Sequence, residues 1–413
     1  MFITRSNLAE VIARELAAAK ITDIHTHLFP SQFGQLCLWG IDELLTYHYL
    51  VAEFFRWNRM SCDEFFRLSK QSQAELIWEE LFIKHSPVSE AQRGVLTVLR
   101  ALGLDVGGRS LESYRRFFAR LHPEESVELA LELSGVETVV MTNDPFDPVE
   151  RQVWESGTSV DSRFRGALRV DVLLNDCQRA LGILRELGIP VDDSFTARSA
   201  QGVRRFLEEW LERIDGLYVA ASLPASFTME DGSLRARLIE ECIIPACVEC
   251  GVPFAMMIGA KRQVNPALRL AGDSVGKAAV DAVEYLCAAY PDAKFLVTML
   301  SRENQHELAV TARKFPNLMI FGCWWFLNNP SLIEEITRMR LELLGLAFIP
   351  QHSDARVVEQ LIYKWEHTKE ILGRVLFEKY IALLEAGWYL TREEIARDVQ
   401  GLCGGNFWAF LQK

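Results

Sequence analysis

The sequence predicts an α/β fold, a (β/α)8 TIM barrel with a helical insertion after its first strand and further helices at its C-terminal end. Three observations carry that expectation. Eight short apolar runs recur along the chain, charged amphipathic stretches separate most of them, and polar residues follow directly where the runs end. Strands and helices alternating in this number imply a parallel sheet, and eight units imply closure into a barrel.

The runs are Ile21–His27, Val136–Asn143, Arg165–Val170, Gly216–Ser222, Val252–Ile258, Ala293–Met299, Asn317–Cys323 and Leu346–His352. Barrel strands are covered on both faces and so read as near-continuous apolar runs, as Phe254-Ala255-Met256-Met257-Ile258 and Leu318-Met319-Ile320-Phe321 do. Between the third and fourth runs, Val203, Phe206, Leu207, Trp210, Leu211 and Ile214 fall at helical spacing, with Glu208, Glu209 and Glu212 among them. Ala278, Val280, Val283, Leu286 and Cys287 repeat the pattern between the fifth and sixth.

The stretch from Pro30 to Gly135 is too long for a loop. Helical patterns at Asp42–Arg56, Ser72–Phe82, Glu90–Leu102 and Ser110–Leu121 mark it as an inserted subdomain. The expected organisation is a barrel from residues 1–29 and 136–413, with 30–135 inserted where the first strand emerges at the active-site face and can be capped. Helices over Ala355–Ala386 and Glu393–Leu402 should follow the last strand.

Composition narrows the function. With 413 residues, 49% of them hydrophobic, the chain can bury a large core. A formal net charge of −12 argues against nucleic-acid binding, which needs a basic patch. It also opposes an anionic substrate, so such a substrate would require locally placed arginines. No apolar run reaches the roughly 20 residues of a membrane span. The opening Met1-Phe2-Ile3-Thr4-Arg5-Ser6 leads into a charged amphipathic stretch that does not read as a secretory leader. Nine scattered cysteines fit reduced thiols, and a cytoplasmic enzyme is expected. Cys247 and Cys250 form a C-x-x-C with Cys242 nearby, but the segment reads as a helix and no second pair stands at zinc spacing, so buried free thiols are the better account. No G-x-x-x-x-G-K-[ST] loop occurs, which argues against a nucleotide cofactor.

In Asp23-Ile24-His25-Thr26-His27 the two histidines are spaced by two on a strand, point to one face, and can present two imidazoles to one metal ion. The alternative, a pair of satisfied core histidines, is weakened by their position at a barrel strand's end. Gln351-His352-Ser353-Asp354-Ala355-Arg356 follows the eighth run, which in a closed barrel neighbours the first. Asp354 is thus placed as a third metal ligand or a base, although capping the next helix is an ordinary role for such an Asp. Arg356 is placed for an oxyanion or a carboxylate. Other run ends bring Asn143 and Asp144, Arg169 and Asp171, Arg302 and Glu303, and the paired Trp324 and Trp325. The arginines can fork onto a carboxylate or pair with acidic neighbours, and the tryptophans can stack on a sugar or simply pack.

An H-x-H ending the first strand and an Asp after the eighth are shared with the amidohydrolase superfamily. Beyond them, Leu38-Trp39-Gly40 leading to His48-Tyr49, Thr142-Asn143-Asp144-Pro145-Phe146-Asp147, Leu168-Arg169-Val170-Asp171, Ser301-Arg302-Glu303-Asn304, Trp324-Trp325-Phe326 and Ser353-Asp354-Ala355-Arg356 make the whole chain closely resemble the uronate isomerase (glucuronate isomerase) family. The resemblance implies interconversion of D-glucuronate with D-fructuronate and of D-galacturonate with D-tagaturonate, in hexuronate catabolism. It further implies one divalent ion, zinc first, on His25, His27 and Asp354. His48 and Tyr49 would reach in from the insertion, and Arg169, Arg302 and Arg356, with Trp324 and Trp325, would hold the substrate. The chain departs from many members in having Met256-Met257-Ile258-Gly259 where a strand-five histidine would stand. With at most three protein ligands, the ion is expected to be single, weakly held and not necessarily essential.

The expected reaction moves a proton from C2 of the open-chain uronate to C1 through an enediol(ate). Asp354 and Tyr49 are candidates for the shuttle. Two other readings stay open at this point: a metal-dependent hydrolase or decarboxylase on the same ligand set, and a sugar-acid-binding protein that has lost the chemistry. Assembly of the chain with further copies of itself also stays open.

Overall fold

The structure is a computed structural model that describes residues 3–229 and 232–412. The first two residues of the opening read above lie outside that range. Its centre is a sheet of β1 (Ile21–Thr26), β2 (Val136–Asn143), β3 (Phe164–Arg169), β4 (Val219–Pro224), β5 (Phe254–Lys261), β6 (Ser274–Val275), β7 (Phe295–Met299) and β8 (Leu318–Ile320). The order is β1-β2-β3-β4-β5-β7-β8, all parallel, and β6 is a two-residue antiparallel addition to the end of β5. This is the (β/α)8 barrel that the alternation of runs predicts.

The eighth run, Leu346–His352, departs from expectation. In place of a full strand it makes one bridge, Phe321 to Ile349. Ile349 donates to Ile320 O at 3.0 Å, Gly322 donates to Ile349 O at 2.8 Å, and the chain then bends at Asp354, whose φ is +52°. On the other side the seam to β1 is made by Asp354 N to His25 O at 3.2 Å and His27 N to Ala355 O at 2.8 Å. A ladder cannot continue through a left-handed residue, so closure is made by single hydrogen bonds. β4 also starts three residues later than the expected run, because Asp215 has φ +48° and the chain still turns at Gly216.

Side chains alternate between two cores, as a barrel requires. Ile24, Val140, Ala167, Ala220, Ala255, Met257, Leu296 and Met319 fill the interior. Leu168, Val219, Met256, Ile258, Phe295 and Val297 point outward against the helices.

Residues 30–135 are helical, and one expected helix is broken. Ile41–Leu45 ends where the Thr46 hydroxyl turns back to Asp42 O at 2.7 Å, and a new helix, His48–Trp57, begins after Tyr47. That break puts His48 and Tyr49 in a first turn. The inserted helices do not keep a core of their own: Phe54, Phe65, Ile77 and Leu99 belong to the same buried cluster as Trp365 and Leu372 of the helix Gln360–Glu385. The nine cysteines are free, with Cys242 and Cys247 buried and Cys250 exposed. No described helix is long and apolar enough to cross a membrane.

Candidate active site

β1 delivers both imidazoles in defined tautomers. The Tyr218 hydroxyl donates to Ile24 O at 2.7 Å and so accepts from His25 Nδ1, 3.1 Å away. The Thr142 hydroxyl donates to Thr26 O at 3.0 Å and so accepts from His27 Nδ1, 2.9 Å away. In both rings the proton sits on Nδ1 and the Nε2 lone pair faces inward, an orientation that outer partners commonly impose on metal-binding histidines.

Facing them is Asp354, whose Oδ1 lies 3.3 Å from His27 Nε2 and 3.9 Å from His25 Nε2. That oxygen is buried and has no hydrogen-bond partner. Loss of water on burial, followed by His27, pushes His25 down to about 3; burial, followed by Arg356 and Arg169, holds His27 well below the ordinary imidazole value. Two imidazole lone pairs and a carboxylate oxygen therefore face one another within 4.8 Å. Two imidazoles with one carboxylate fit a divalent ion with positions left for water or substrate. It is the one cluster of this kind among the described residues. Both β5 methionines are buried and none of that strand's side chains adds an imidazole, so the set stops at three protein ligands.

The support behind the cluster is shared. Asp23 accepts from Ser353 N at 3.0 Å through one oxygen and from Trp365 Nε1 at 2.8 Å through the other. Burial raises this carboxyl to about 6. His352, fully buried, stacks edge-on to His25 at 5.3 Å with neither nitrogen partnered.

Beside His27 a cavity of about 250 Å³ is lined by Thr142, Asp144, Asp147, Glu150, Arg169 and Arg356, among others. It lies just below the usual range for small-molecule sites, about 300–1,000 Å³, and suits one compact polar ligand. Its two arginines differ. Arg169 is forked onto Asp171, with Nη2 at 2.5 Å and Nε at 2.9 Å from Oδ2, while Asp171 Oδ1 accepts from Ser222 N. Arg356 makes no side-chain ion pair or hydrogen bond among the described residues, and so its five donors stay available. Asp144 and Glu150 on the same wall are raised by burial, Glu150 to about 8.

The insertion adds Gln35, Leu36 and Leu38 to that cavity's lining and brings an aromatic run near Asp354. Tyr47, His48 and Tyr49 stack in succession, and the His48 ring meets Trp325 at 5.9 Å. Burial pushes His48 down to about 3 and leaves its Nε2 unpartnered. Burial also holds the Tyr49 phenol well above its ordinary value, so it carries its proton.

The structure therefore brings His25, His27, Asp354, Arg356, Arg169, His48, Tyr49 and Trp325 to one end of the barrel. It does not bring Arg302, whose side chain is 55% exposed and paired with Glu335 at 2.7 Å. The short helical turn Arg302–Asn304 directs that side chain outward while its neighbour Asn304 is buried against Ala278. Nor does Trp324 present a face to the cavity; it is 3% exposed and belongs to the interior core. Trp325 belongs to the same core at 8% exposure, with φ +49° and a buried indole N–H without a partner, and meets the site through the His48 ring.

Four residues that matter here escaped the sequence reading. Tyr218 sits inside an expected strand, and a tyrosine on an interior face was its one signal. Tyr47 adjoins the His48-Tyr49 pair. Lys364 is a lone cation in the apolar stretch Leu361-Ile362-Tyr363-Lys364-Trp365. Arg262, just past β5, lies over the Trp325 ring at 5.5 Å and pairs with Asp273 at 2.6 Å. It lines a second cavity of about 680 Å³ with Asp171, Ser222, Arg235 and Lys261.

No protein-family model and no curated protein matches this chain. Among solved structures, a uronate isomerase from Bacillus halodurans C-125 is 56% identical to it, covers 100% of this chain and 98% of its own, and superposes with a TM-score of 0.98. A uronate isomerase from Thermotoga maritima is 16% identical over 100% of both chains, with a TM-score of 0.80. A glucuronate isomerase from Caulobacter crescentus is also 16% identical, over 99% of this chain and 96% of its own, with a TM-score of 0.73. At 16% identity, these two likenesses establish the fold alone.

Proposed function

Because this chain belongs to the uronate isomerase family, we propose that it interconverts D-glucuronate with D-fructuronate and D-galacturonate with D-tagaturonate, as an intracellular step of hexuronate breakdown. The observation that carries the reading is an end-to-end match at 56% identity on a chain whose barrel mouth holds an acceptor triad, an unpaired arginine and a protonated phenol together. The nine free cysteines and the absence of a spanning helix among the described residues are compatible with a cytoplasmic setting.

His25, His27 and Asp354 would hold a divalent ion, zinc by the nature of the donors, which when bound supplies positive charge for the substrate's carbonyl oxygen. The rest is done by the chain. Arg356 takes the anionic end or the developing oxyanion of the sugar, because its donors are uncommitted. Arg169, already neutralised by Asp171, holds a hydroxyl or carboxylate oxygen at a fixed angle. Asp354 accepts the C2 proton and the electrons move to form the C1–C2 enediolate, whose O1 is protonated by Tyr49; the C2 hydroxyl then passes its proton back to Tyr49 as it becomes the ketone, and Asp354 returns its proton to C1. Tyr49, protonated at rest, donates to the oxygen that gains charge. His48, a neutral imidazole, offers a further hydrogen bond through Nε2. Trp325 walls the ring from water, and Trp324 supports it from the core.

Proton NMR of each uronate with the protein in D₂O tests the proposal. Ketouronate with deuterium entering at its C1, and on reversal at C2 of the recovered uronate, supports it. Unchanged uronate together with cleavage of lactones or decarboxylation of acidic aromatics would replace it with the hydrolase or decarboxylase reading.

A further inference from the structure

Lys364 stands in the second turn of the helix Gln360–Glu385 and is 4% exposed. A lysine hidden to that degree ordinarily faces a carboxylate at contact distance. This ammonium makes no ion pair and no hydrogen bond among the described residues; it lies over the ring of Tyr49 at 5.7 Å and over that of Tyr363 at 5.3 Å. Tyr49 is the phenol that the insertion brings to the acceptor triad. The next residue in the helix, Trp365, is tied through Asp23 to Ser353, so the turn carrying the lysine is fastened to the residue preceding Asp354. Burial pulls the ammonium down to about 8, and of the charges opposing that pull Asp354 is the largest, ahead of Glu90 and Asp23. The lysine is thus a cation at neutral pH whose main electrostatic partner is a metal-ligand carboxylate that it does not touch.

We propose that Lys364 is a built-in counter-cation for Asp354, competing with the divalent ion for that carboxylate's charge and setting the affinity of the His25, His27 and Asp354 site low. The inference rests on the reading that these three residues hold such an ion. A fixed unit charge beside the site repels a bound dication and, without the ion, spares Asp354 from being an uncompensated buried charge. Lys364 therefore offsets part of what the metal contributes.

The test uses zinc alone and needs no turnover, so failure of the isomerase reading would leave it decidable. Zinc is titrated against a chromophoric chelator with the wild-type protein, Lys364→Met and Lys364→Arg. The expected result is binding about ten- to a hundredfold tighter in Lys364→Met and within about threefold of wild type in Lys364→Arg. A merely structural lysine would give weaker binding when removed, through a loosened site. The metal-free Lys364→Met protein should also melt lower than the wild type and regain more Tm from added zinc. If Lys364→Met does not fold, Lys364→Gln carries the same expectation. Zinc affinity equal to or weaker than wild type in the neutral variant, Lys364→Arg binding as tightly as Lys364→Met, or no zinc binding by any of the proteins overturns the proposal.

Discussion

The two sides of the barrel are built differently. Between β5 and β7 the parallel ladder runs residue for residue, with Phe254 to Ile258 facing Phe295 to Met299 without a shift, and between β4 and β5 it slips once, at Leu223/Pro224. From β8 through residues 349–355 to β1 it is made of isolated bonds, and the β1–β2 pairing slips twice. The regular side carries methionine and alanine inward; the irregular side carries His25, His27, His352 and Asp354. Of the eleven unpartnered buried side-chain atoms among the described residues, five lie on that irregular side or against it, namely Asp354 Oδ1, both nitrogens of His352, His48 Nε2 and Trp325 Nε1, while Thr298 Oγ1 stands on β7. Left-handed φ values at Asp354 and Trp325 fall there as well. The candidate site thus combines left-handed backbone with unsatisfied polar groups on the less regular half of the barrel.

If that division is real, the largest effect comes from the seam's own carboxylate. Asp354→Asn should lower turnover of uronate about a thousandfold or more and Tyr49→Phe about a hundredfold, measured as kcat by following ketouronate formation. Near wild-type rates in both would move the proton transfer elsewhere.

Acid should open the seam next. His25, His48 and His352 are held near 3 against an unfolded value near 6.5. As pH falls through 6.5 the unfolded chain binds protons that the folded chain refuses, and stability drops by up to about 1.4 kcal/mol per pH unit for each group until the folded value is reached. Thermal melts should therefore fall steadily from pH 7 to pH 5, and His352→Phe should flatten the slope. A Tm independent of pH over that span would contradict the assignment of neutral buried rings.

Gly322 offers a steric test. Its φ is +67°, and a Cβ placed on it would overlap the His352 ring. Gly322→Ala should cost about 3 kcal/mol, seen as a lower denaturant midpoint. Removing one hydroxyl behind the site is milder: Tyr218→Phe should weaken zinc binding about tenfold by freeing the His25 tautomer, with little change in Tm. The smallest effect belongs to the regular half, where Met257→Leu should alter stability by less than about 1.5 kcal/mol and turnover by less than threefold.

Much of this was legible in the sequence. Seven of the eight runs became strands because an apolar run without alternation has few other uses in an alternating chain, and the H-x-H pair is fixed by a period of two. The eighth run failed as a strand because Asp354 takes a backbone conformation that no residue pattern announces. Arg302 was read from its place at a strand end, but a turn of one residue decides between barrel mouth and solvent. Lys364 and Tyr218 were missed for different reasons: Lys364 belongs to a helix of the expected type, whose register spacing leaves free by a fraction of a turn, and Tyr218 stands one residue before β4, on a stretch read as strand.

One consequence of the Asp23 clamp concerns time and not geometry. Its two hydrogen bonds reach across 330 and 342 positions, joining the beginning of the chain to its last quarter. During synthesis the histidines emerge early and wait while the remaining strands are made. Nascent chains, and products truncated before residue 354, consequently hold the imidazoles without the carboxylate that faces them.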